Sequence, residues 1–515
     1  MFLPIIHLTR LVGIARTLAR HDALWPLEMV SRRAAPLRAC VWCLRILFRR
    51  RRPGRPGERL AVALADLGPS FVKLGQALSV RADLVGDEVA RDLEQLQDGL
   101  DPFPTEKAVE TIEATLAMPL AEAFAEFDRN PVAAASIAQV HFATTTDGRE
   151  VAVKVLRPGI EERLERDIGL FRFLARLAER AHPPVRRLRP VAVVDTFEEW
   201  IRVELDLRLE GAAAAELKEY CEGDEGFHVV DVDWERTGQR VLTTERIRGH
   251  NIDDVEALRA AGHDIEDILA RSARIFFLQV FRDGYFHADM HPGNMFIDAE
   301  GRLCPVDFGI MGRVTRRQRL FMADTLVGFL GRDYRRVADA HFEIGYVPPT
   351  QSRELFTQAL RAIGEPVLDK SLNEISVGRL LEQMFRTTER FDMPTQPDLL
   401  LLQKTMLVAE GVGRKLNPDV NMWLLARPLI EEWMIANRGP EARIVETVRD
   451  TMESLERLPR TLRKAEETLD RLAKAGMNPD GSLREPGGMR ENVRFWGPVV
   501  VLAVLGAMTI GLFNN

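Results

Sequence analysis

The sequence predicts an α+β chain, mostly helical, arranged as two lobes around one small sheet. Its 515 residues exceed what a single hydrophobic core usually organises. Helix formers (Leu, Ala, Arg, Glu) dominate, and the few strand-like runs fall in the middle of the chain. With 46% hydrophobic and 29% charged residues, the composition is that of a globular protein with ample core. A net charge of −7 argues against nucleic acid as a partner. Four cysteines in this length argue against a disulfide framework and suit a reducing compartment.

Residues 1–58 form an amphipathic, basic N-terminal segment. Leu8, Leu11, Ile14 and Leu18 share a helical stripe with Arg10, Arg16 and Arg20 between them. Arg10 interrupts the apolar run and no small-residue cleavage site follows, so this is not a cleavable signal. Cys40 and Cys43 lack a second pair or a nearby His at ligand spacing, which favours one helix face over a metal site. Arg49 to Arg52 is either a solvated boundary or a patch for anionic lipid headgroups.

Residues 59–128 read as a helical extension. Gly68-Pro69-Ser70 starts a helix in which Lys73 and Gln76, three apart, share a face and can reach one target together. Gly75 between them points to close packing against another backbone. A second helix opens at Asp87, runs through Leu96 and is broken by Asp101-Pro102-Phe103-Pro104.

Residues 129–248 form the sheet-rich lobe. Ala133, Ala134, Ala135 and Ser136 read on their own as a helix start. Val151-Ala152-Val153-Lys154-Val155 is a strand with one lysine toward its buried side, which needs a phosphate or a carboxylate to offset the cost of burying an ammonium. A helix from about Val193 to Tyr220 offers Glu204, Asp206 and Glu210. On one continuous helix Glu204 and Glu210 point about 120° apart, so only one can face Lys154. Val241 to Gly249 reads as a strand running into the link between lobes.

Residues 249–440 form the second lobe, centred on Phe286 to Gly309. Met295-Phe296-Ile297 and Leu303-Cys304-Pro305-Val306 are short strands joined by the turn Asp298-Ala299-Glu300-Gly301. That hairpin brings Asp289, Asn294 and Asp307 to one end. Mg²⁺ takes hard oxygen ligands and keeps most of its shell for water and phosphate, so one carboxylate and one amide suffice. Asp289 is then left to orient or deprotonate a hydroxyl or water. Asn294 lies five residues after Asp289 and Asp307 eighteen after it, closing on Asp-Phe-Gly. This resembles the H-x-D-x-x-x-x-N…D-F-G set of the protein-kinase-like fold. In that fold a glycine-rich loop covers the phosphates. Here the alanines stand in its place, and alanine does not readily take φ > 0, so the loop is stiffer.

Beyond Asp307, no Ala-Pro-Glu follows, so the platform that docks protein substrates in a protein kinase is missing. Residues 441–494 comprise an amphipathic helix and a turn-rich linker. Residues 495–513 carry no charge and are long enough to span a bilayer as a C-terminal transmembrane helix. Arg484, Arg490 and Arg494 on its amino side place the body in the cytoplasm, with Trp496 at the interface.

AAAS, VAVKV, ELDLRLE, HADMHPGN and VDFG occur in that order, preceded by KLGQ. Over roughly residues 60–345 the sequence resembles the UbiB (aarF-domain-containing) family of atypical kinases. The resemblance implies a two-lobed protein-kinase-like fold that binds ATP with Mg²⁺. It assigns Lys154 to the phosphates, with Glu210 as its helix partner and residues 133–136 as the nucleotide loop. Asp289 becomes the catalytic-loop residue, and Asn294 and Asp307 the metal ligands. Lys73 and Gln76 correspond to the family's KxGQ element over the acceptor site, and Glu204 and Asp206 to the ExD element that tethers it. The implied function is a membrane-anchored ATPase or small-molecule kinase that supports ubiquinone biosynthesis. It implies membrane lipid, a polyprenyl-quinone precursor and other biosynthetic proteins as partners, at a bacterial-type inner membrane. The rivals are a protein kinase and a nucleotide-switched lipid-binding scaffold without phosphotransfer.

Overall fold

The computed structural model describes residues 3–25, 53–79, 85–93, 96, 101–181, 190–366, 391–393 and 396–417, with isolated positions at 42, 45–48, 387–388, 390, 428–429, 432–433 and 437. The chain divides into two compact units, Met1–Met434 and Ile435–Asn515. The cysteine pair 40 and 43, the arginine run 49–52, the amphipathic stretch 441–473 and the apolar segment 495–513 lie outside the described residues. Among the described residues no helix is long and apolar enough to cross a membrane.

The N-terminal helices form one layer. Helix α1 (Leu3–Arg20) is followed by α2 (Pro56–Leu67), α3 (Pro69–Ser79) and α4 (Asp87–Leu93). They share a core with α7 (Ile160–Ala181) and α8 (Pro190–Glu204) through Leu60, Phe71, Leu93, Leu164 and Ile201. Helix α1 does not lie free on the surface: Leu18 and Ala19 are buried, and Arg10 meets Asp167 at 3.1 Å. Gly75 admits close packing, but against the side chains of Leu64 and Leu96 rather than a backbone, since a Cβ there would meet their methyls at 2.9 and 2.3 Å. Helix α4 is described over Asp87–Leu93, and residues 94–95 of the predicted run to Leu96 lie outside the described residues.

The sheet lobe begins earlier than position 129. Helix α5 (Thr105–Leu116) and a short α6 (Leu120–Ala123) lead into strand β1 (Phe124–Phe127). Strands β2 (Ala133–Ala134), β3 (Ala138–Thr145), β4 (Glu150–Leu156) and β5 (Val241–Glu245) complete an antiparallel sheet in the order β1-β3-β4-β5, with β2 on β3. Val151, Val153 and Val155 face Ala108 and Ile112 of α5; each such buried valine contributes roughly 1.5–3 kcal/mol. The alanine run does not start a helix. Ala133 and Ala134 pair with Val140 and Gln139, and the Ala135 N–H closes the hairpin on the Ala138 carbonyl at 2.8 Å.

The helix predicted from Val193 to Tyr220 is two helices, α8 and α9 (Leu207–Tyr220). Asp206 leaves helical geometry and its side chain accepts from the Arg208 N–H, capping α9. Glu204 and Glu210 therefore do not sit 120° apart on one continuous helix, although they still serve different partners, Lys73 and Lys154.

The second lobe packs around α11 (Ile265–Phe277), which follows strand β6 (Gly249–Asn251) and helix α10 (Val255–Ala260). A π-helical turn, Leu278–Asp283, leads into β7 (Tyr285–His287). Strands β8 (Met295–Asp298) and β9 (Leu303–Pro305) form the predicted hairpin, with Met295 opposite Pro305 and β6 on the outer edge. Strand β10 (Met311–Arg313) returns to pair with β7. Directly after it come helices α12 (Arg316–Leu330), α13 (Tyr334–Ile344) and α14 (Arg353–Gly364). Helix α15 (Pro397–Leu416) packs Leu402 and Val412 into the same core as Phe276, Met290 and Met295.

Candidate functional site

Strand alternation places Lys154. Its neighbours Val153 and Val155 point into the α5 core, so Lys154 projects from the opposite face of β4. There its Nζ donates to both oxygens of Glu210, at 2.7 and 2.9 Å, and to Oδ2 of Asp307 at 3.2 Å. Glu210 stands in the first turn of α9, where the helix dipole favours a carboxylate. Gly211 lets α9 approach the sheet, because a Cβ there would press on Leu242, Trp234 and Val232 at 3.1–3.3 Å.

One ammonium is thus shared between two acids of unequal exposure. The Glu210 side chain is 8% exposed, while that of Asp307 is 43% exposed. Burial pushes the Glu210 carboxyl up to about 7 against the pull of Lys154, and the charge on Asp307 adds to the rise. Burial also works against the charge on Lys154, but Asp307 and Glu210 outweigh it and hold the ammonium above its ordinary range. For Asp307 the desolvation cost is overcome by Lys154 and by the Gly309 N–H at 3.0 Å, which keep it ionised below the usual carboxylate range. Lys73 adds to that positive field.

The second half of the site is the loop from β7 to β8. His291 accepts from the Gly293 N–H and starts a 3₁₀ turn, Pro292–Asn294. The Asn294 carbonyl accepts from Val306 at 3.0 Å, tying the turn to the residue before Asp307. Asn294 Nδ2 donates to Asp289 Oδ2 at 3.0 Å. Its amide N–H₂ is thereby turned to Asp289, leaving the amide oxygen as an acceptor. Asp307 and Asn294 supply the hard oxygen donors that suit Mg²⁺. Among the described residues no group of three or more His, Cys, Asp and Glu side chains forms a self-sufficient metal cage. An ion that takes the rest of its shell from water and phosphate fits that pair.

His287, to which sequence reasoning gave no role, ties the halves together. It accepts the Asp289 N–H on Nδ1 at 3.3 Å, so its proton sits on Nε2 and is donated to the Asp307 carbonyl. Burial lowers its pKa, which keeps the ring neutral. The π-helical turn contributes Gln279, whose side-chain oxygen accepts from the His287 N–H at 3.2 Å. Such turns are frequent at functional sites.

Of residues 133–136, Ala133 is exposed, Ala134 and Ala135 are half-buried and Ser136 is fully buried. Arg157 donates to the Ala135 carbonyl at 2.9 Å and to that of Asp101 at 2.9 Å, which pins the hairpin from the flank. Lys73 and Glu204 meet at 3.1 Å. Lys73 and Gln76 do not share a target: Gln76 donates to the Leu96 carbonyl at 3.4 Å. Nor does Asp206 join Glu204 in holding them, because its carboxylate is engaged with Arg208 at 2.6 and 2.8 Å.

Residues 95–341 match the ABC1 atypical kinase-like domain and residues 360–421 the UbiB helical domain. A probable protein kinase UbiB from Marinobacter nauticus is 41% identical over 465 residues, covering 88% of this chain and 85% of the relative. One from Pseudomonas aeruginosa is 40% identical over 520 residues, covering 99% and 96%. A solved structure, the Rv3197–erythromycin complex from Mycobacterium tuberculosis, is similar with a TM-score of 0.50 at 26% identity, over 72% of this chain and 94% of that one. By its lysine–glutamate–aspartate cleft and by these likenesses, the chain belongs to the UbiB family of ABC1 atypical kinase-like proteins.

Proposed function

We propose that this protein is an ATP-dependent atypical kinase or ATPase of the UbiB family, anchored at the cytoplasmic membrane and supporting ubiquinone biosynthesis on or with polyprenyl-quinone precursors. The observation that carries the reading is Lys154, shared between a buried Glu210 and an open Asp307, with Asp289 and Asn294 bonded to each other on the adjoining loop. Bound Mg·ATP would supply a γ-phosphoryl group for transfer to a hydroxyl or to water. Lys154 would give up Asp307 for a phosphate oxygen, while Glu210 keeps the ammonium in place. Asp307 and Asn294 would hold the metal. Asp289, oriented by the Asn294 amide, would accept the proton of the attacking hydroxyl. Strand β10 leads directly into α12, with no docking segment for a protein substrate between them; that favours a small acceptor.

The test is a thermal-shift titration with Mg·ATP, alongside phosphate release with and without anionic liposomes and a phenolic quinone-precursor analogue. Wild type is expected to be stabilised by Mg·ATP, and Asp307→Asn to lose that shift while remaining folded. An undiminished shift in Asp307→Asn would remove Asp307 from the metal site. Stabilisation without any phosphate release would favour the nucleotide-switched scaffold. Removal of residues 495–515 is expected to free the protein from the membrane fraction. Retention through a high-salt wash would show that another segment is the anchor.

A further inference from the structure

The peptide unit that carries Asp289 into the cleft is held at both edges. Its N–H, from Asp289, donates to His287 Nδ1 at 3.3 Å. Its carbonyl, from Ala288, accepts from Thr405 Oγ1 at 3.0 Å. Because a peptide is planar, fixing both edges fixes the plane, and with it the Asp289 Cα and the N–Cα bond about which its side chain turns. Ala288 is itself buried, and its own N–H is spent on the Ile310 carbonyl at 3.0 Å. Thr405 is fully buried and lies 117 residues further along the chain, on α15. It comes from the region that matches the UbiB helical domain, not the kinase-like one.

The geometry points to Thr405 as a positioning residue for Asp289: through one hydroxyl, the helical domain completes the catalytic loop. This rests on the proposed function, since it gives Asp289 a reaction to serve. The plain alternative is that Thr405 only bonds back along its own helix, to the Leu401 carbonyl at 2.9 Å, as buried threonines commonly do. A hydroxyl has one proton to give. If Leu401 takes it, Ala288 loses nothing when the hydroxyl goes.

Thr405→Val keeps the shape and removes the hydroxyl; Thr405→Ser keeps the hydroxyl. In the full-length protein, Thr405→Val is expected to lower the kcat for phosphate release about tenfold, within what misplacing a reacting group costs. Mg·ATP affinity should stay within about twofold, because the nucleotide contacts lie elsewhere. Thr405→Ser should recover most of the lost rate. Amide hydrogen exchange over residues 286–295 supplies a readout that needs no turnover, and Thr405→Val should raise it there while leaving β4 and α9 unchanged. Should Thr405→Val not fold, Thr405→Ala is measured in the same way. Unchanged exchange over 286–295 with unchanged kcat would overturn the inference, as would a rate loss that Thr405→Ser does not relieve. If wild type itself releases no phosphate, it is the proposed activity that fails, and the exchange measurement alone decides the role of Thr405.

Discussion

Two lysines, the buried Lys73 and the half-buried Lys154, each meet a glutamate on one side of the same helix break, yet the two pairs are built for different work. Glu204 is the last residue of α8 and Glu210 lies in the first turn of α9. The Lys73–Glu204 pair is closed: its side chains are 8% and 7% exposed. The Lys154–Glu210 pair, 17% and 8% exposed, has Asp307 as a third member opening on the cleft. A sealed pair fastens α3 to α8 and exchanges nothing with solvent. A lysine shared with an open carboxylate can trade that carboxylate for a phosphate oxygen. Burial alone therefore does not separate a fastener from a candidate binding site; the open Asp307 carboxylate beside Lys154 does.

The sharpest break of this comparison is to remove each lysine in turn. Lys73→Met removes the ammonium that pairs with the buried Glu204 carboxylate, which should cost about 3–5 kcal/mol in denaturant unfolding. Adding Glu204→Leu to Lys73→Met should restore part of that loss, because the buried carboxylate that has lost this ammonium is then gone as well. Lys154→Met should cost no more than about 2 kcal/mol, since Glu210 can take up a proton and Asp307 faces solvent. It should nevertheless abolish the Mg·ATP shift. Equal stability losses for the two lysines would end the distinction.

A pH series sharpens the same contrast. The Glu210 carboxyl is raised by burial from its ordinary value near 4.5 to about 7. Between those values the folded state holds a proton that the unfolded state has released. This contribution to stability is complete below about 4.5 and is lost as pH rises through about 7. The shift corresponds to about 3–4 kcal/mol. In Glu210→Gln that part of the pH dependence should vanish, so that wild type minus variant, measured by chemical unfolding at steps from pH 4.5 to 8, isolates it. A difference that does not change with pH would show that Glu210 is ionised throughout.

How much of this was legible depends on how local the determinant is. Lys154, Asp289, Asn294 and Asp307 could be read because strand alternation and one hairpin place them, and both are written in adjacent residues. The alanine run misled because its strand form depends on pairing with Val140 and Gln139, a contact that helix propensity ignores. The α8–α9 break was missed because Asp206 competes for the backbone through its own side chain, which periodicity does not register. Thr405 gives no sequence signal: it is one threonine on an apolar helix until the fold sets it against Ala288.

The smallest expected effect concerns Asp206, and it decides whether this residue belongs to the Lys73 fastener or only to its own helix. As a tether, it would share the energetic consequences of Glu204. The structure gives it other work: its Oδ1 accepts from the Arg208 N–H at 3.2 Å, and the Arg208 guanidinium reaches both its oxygens. That guanidinium holds its carboxyl below the ordinary range. Arg208 is 57% exposed, so solvent screens the ion pair and leaves it little weight in stability. What remains is the cap, and asparagine caps nearly as well as aspartate whereas alanine does not. Asp206→Asn should therefore change stability by only a few tenths of a kcal/mol, and Asp206→Ala should lower it by about 1 kcal/mol. Combined with Lys73→Met, Asp206→Ala should add its full cost, because a cap and a separate ion pair act independently. Chemical unfolding of the two single variants and the double variant is the measurement. A coupling above about 1 kcal/mol between Asp206 and Lys73 would put Asp206 back in the tether.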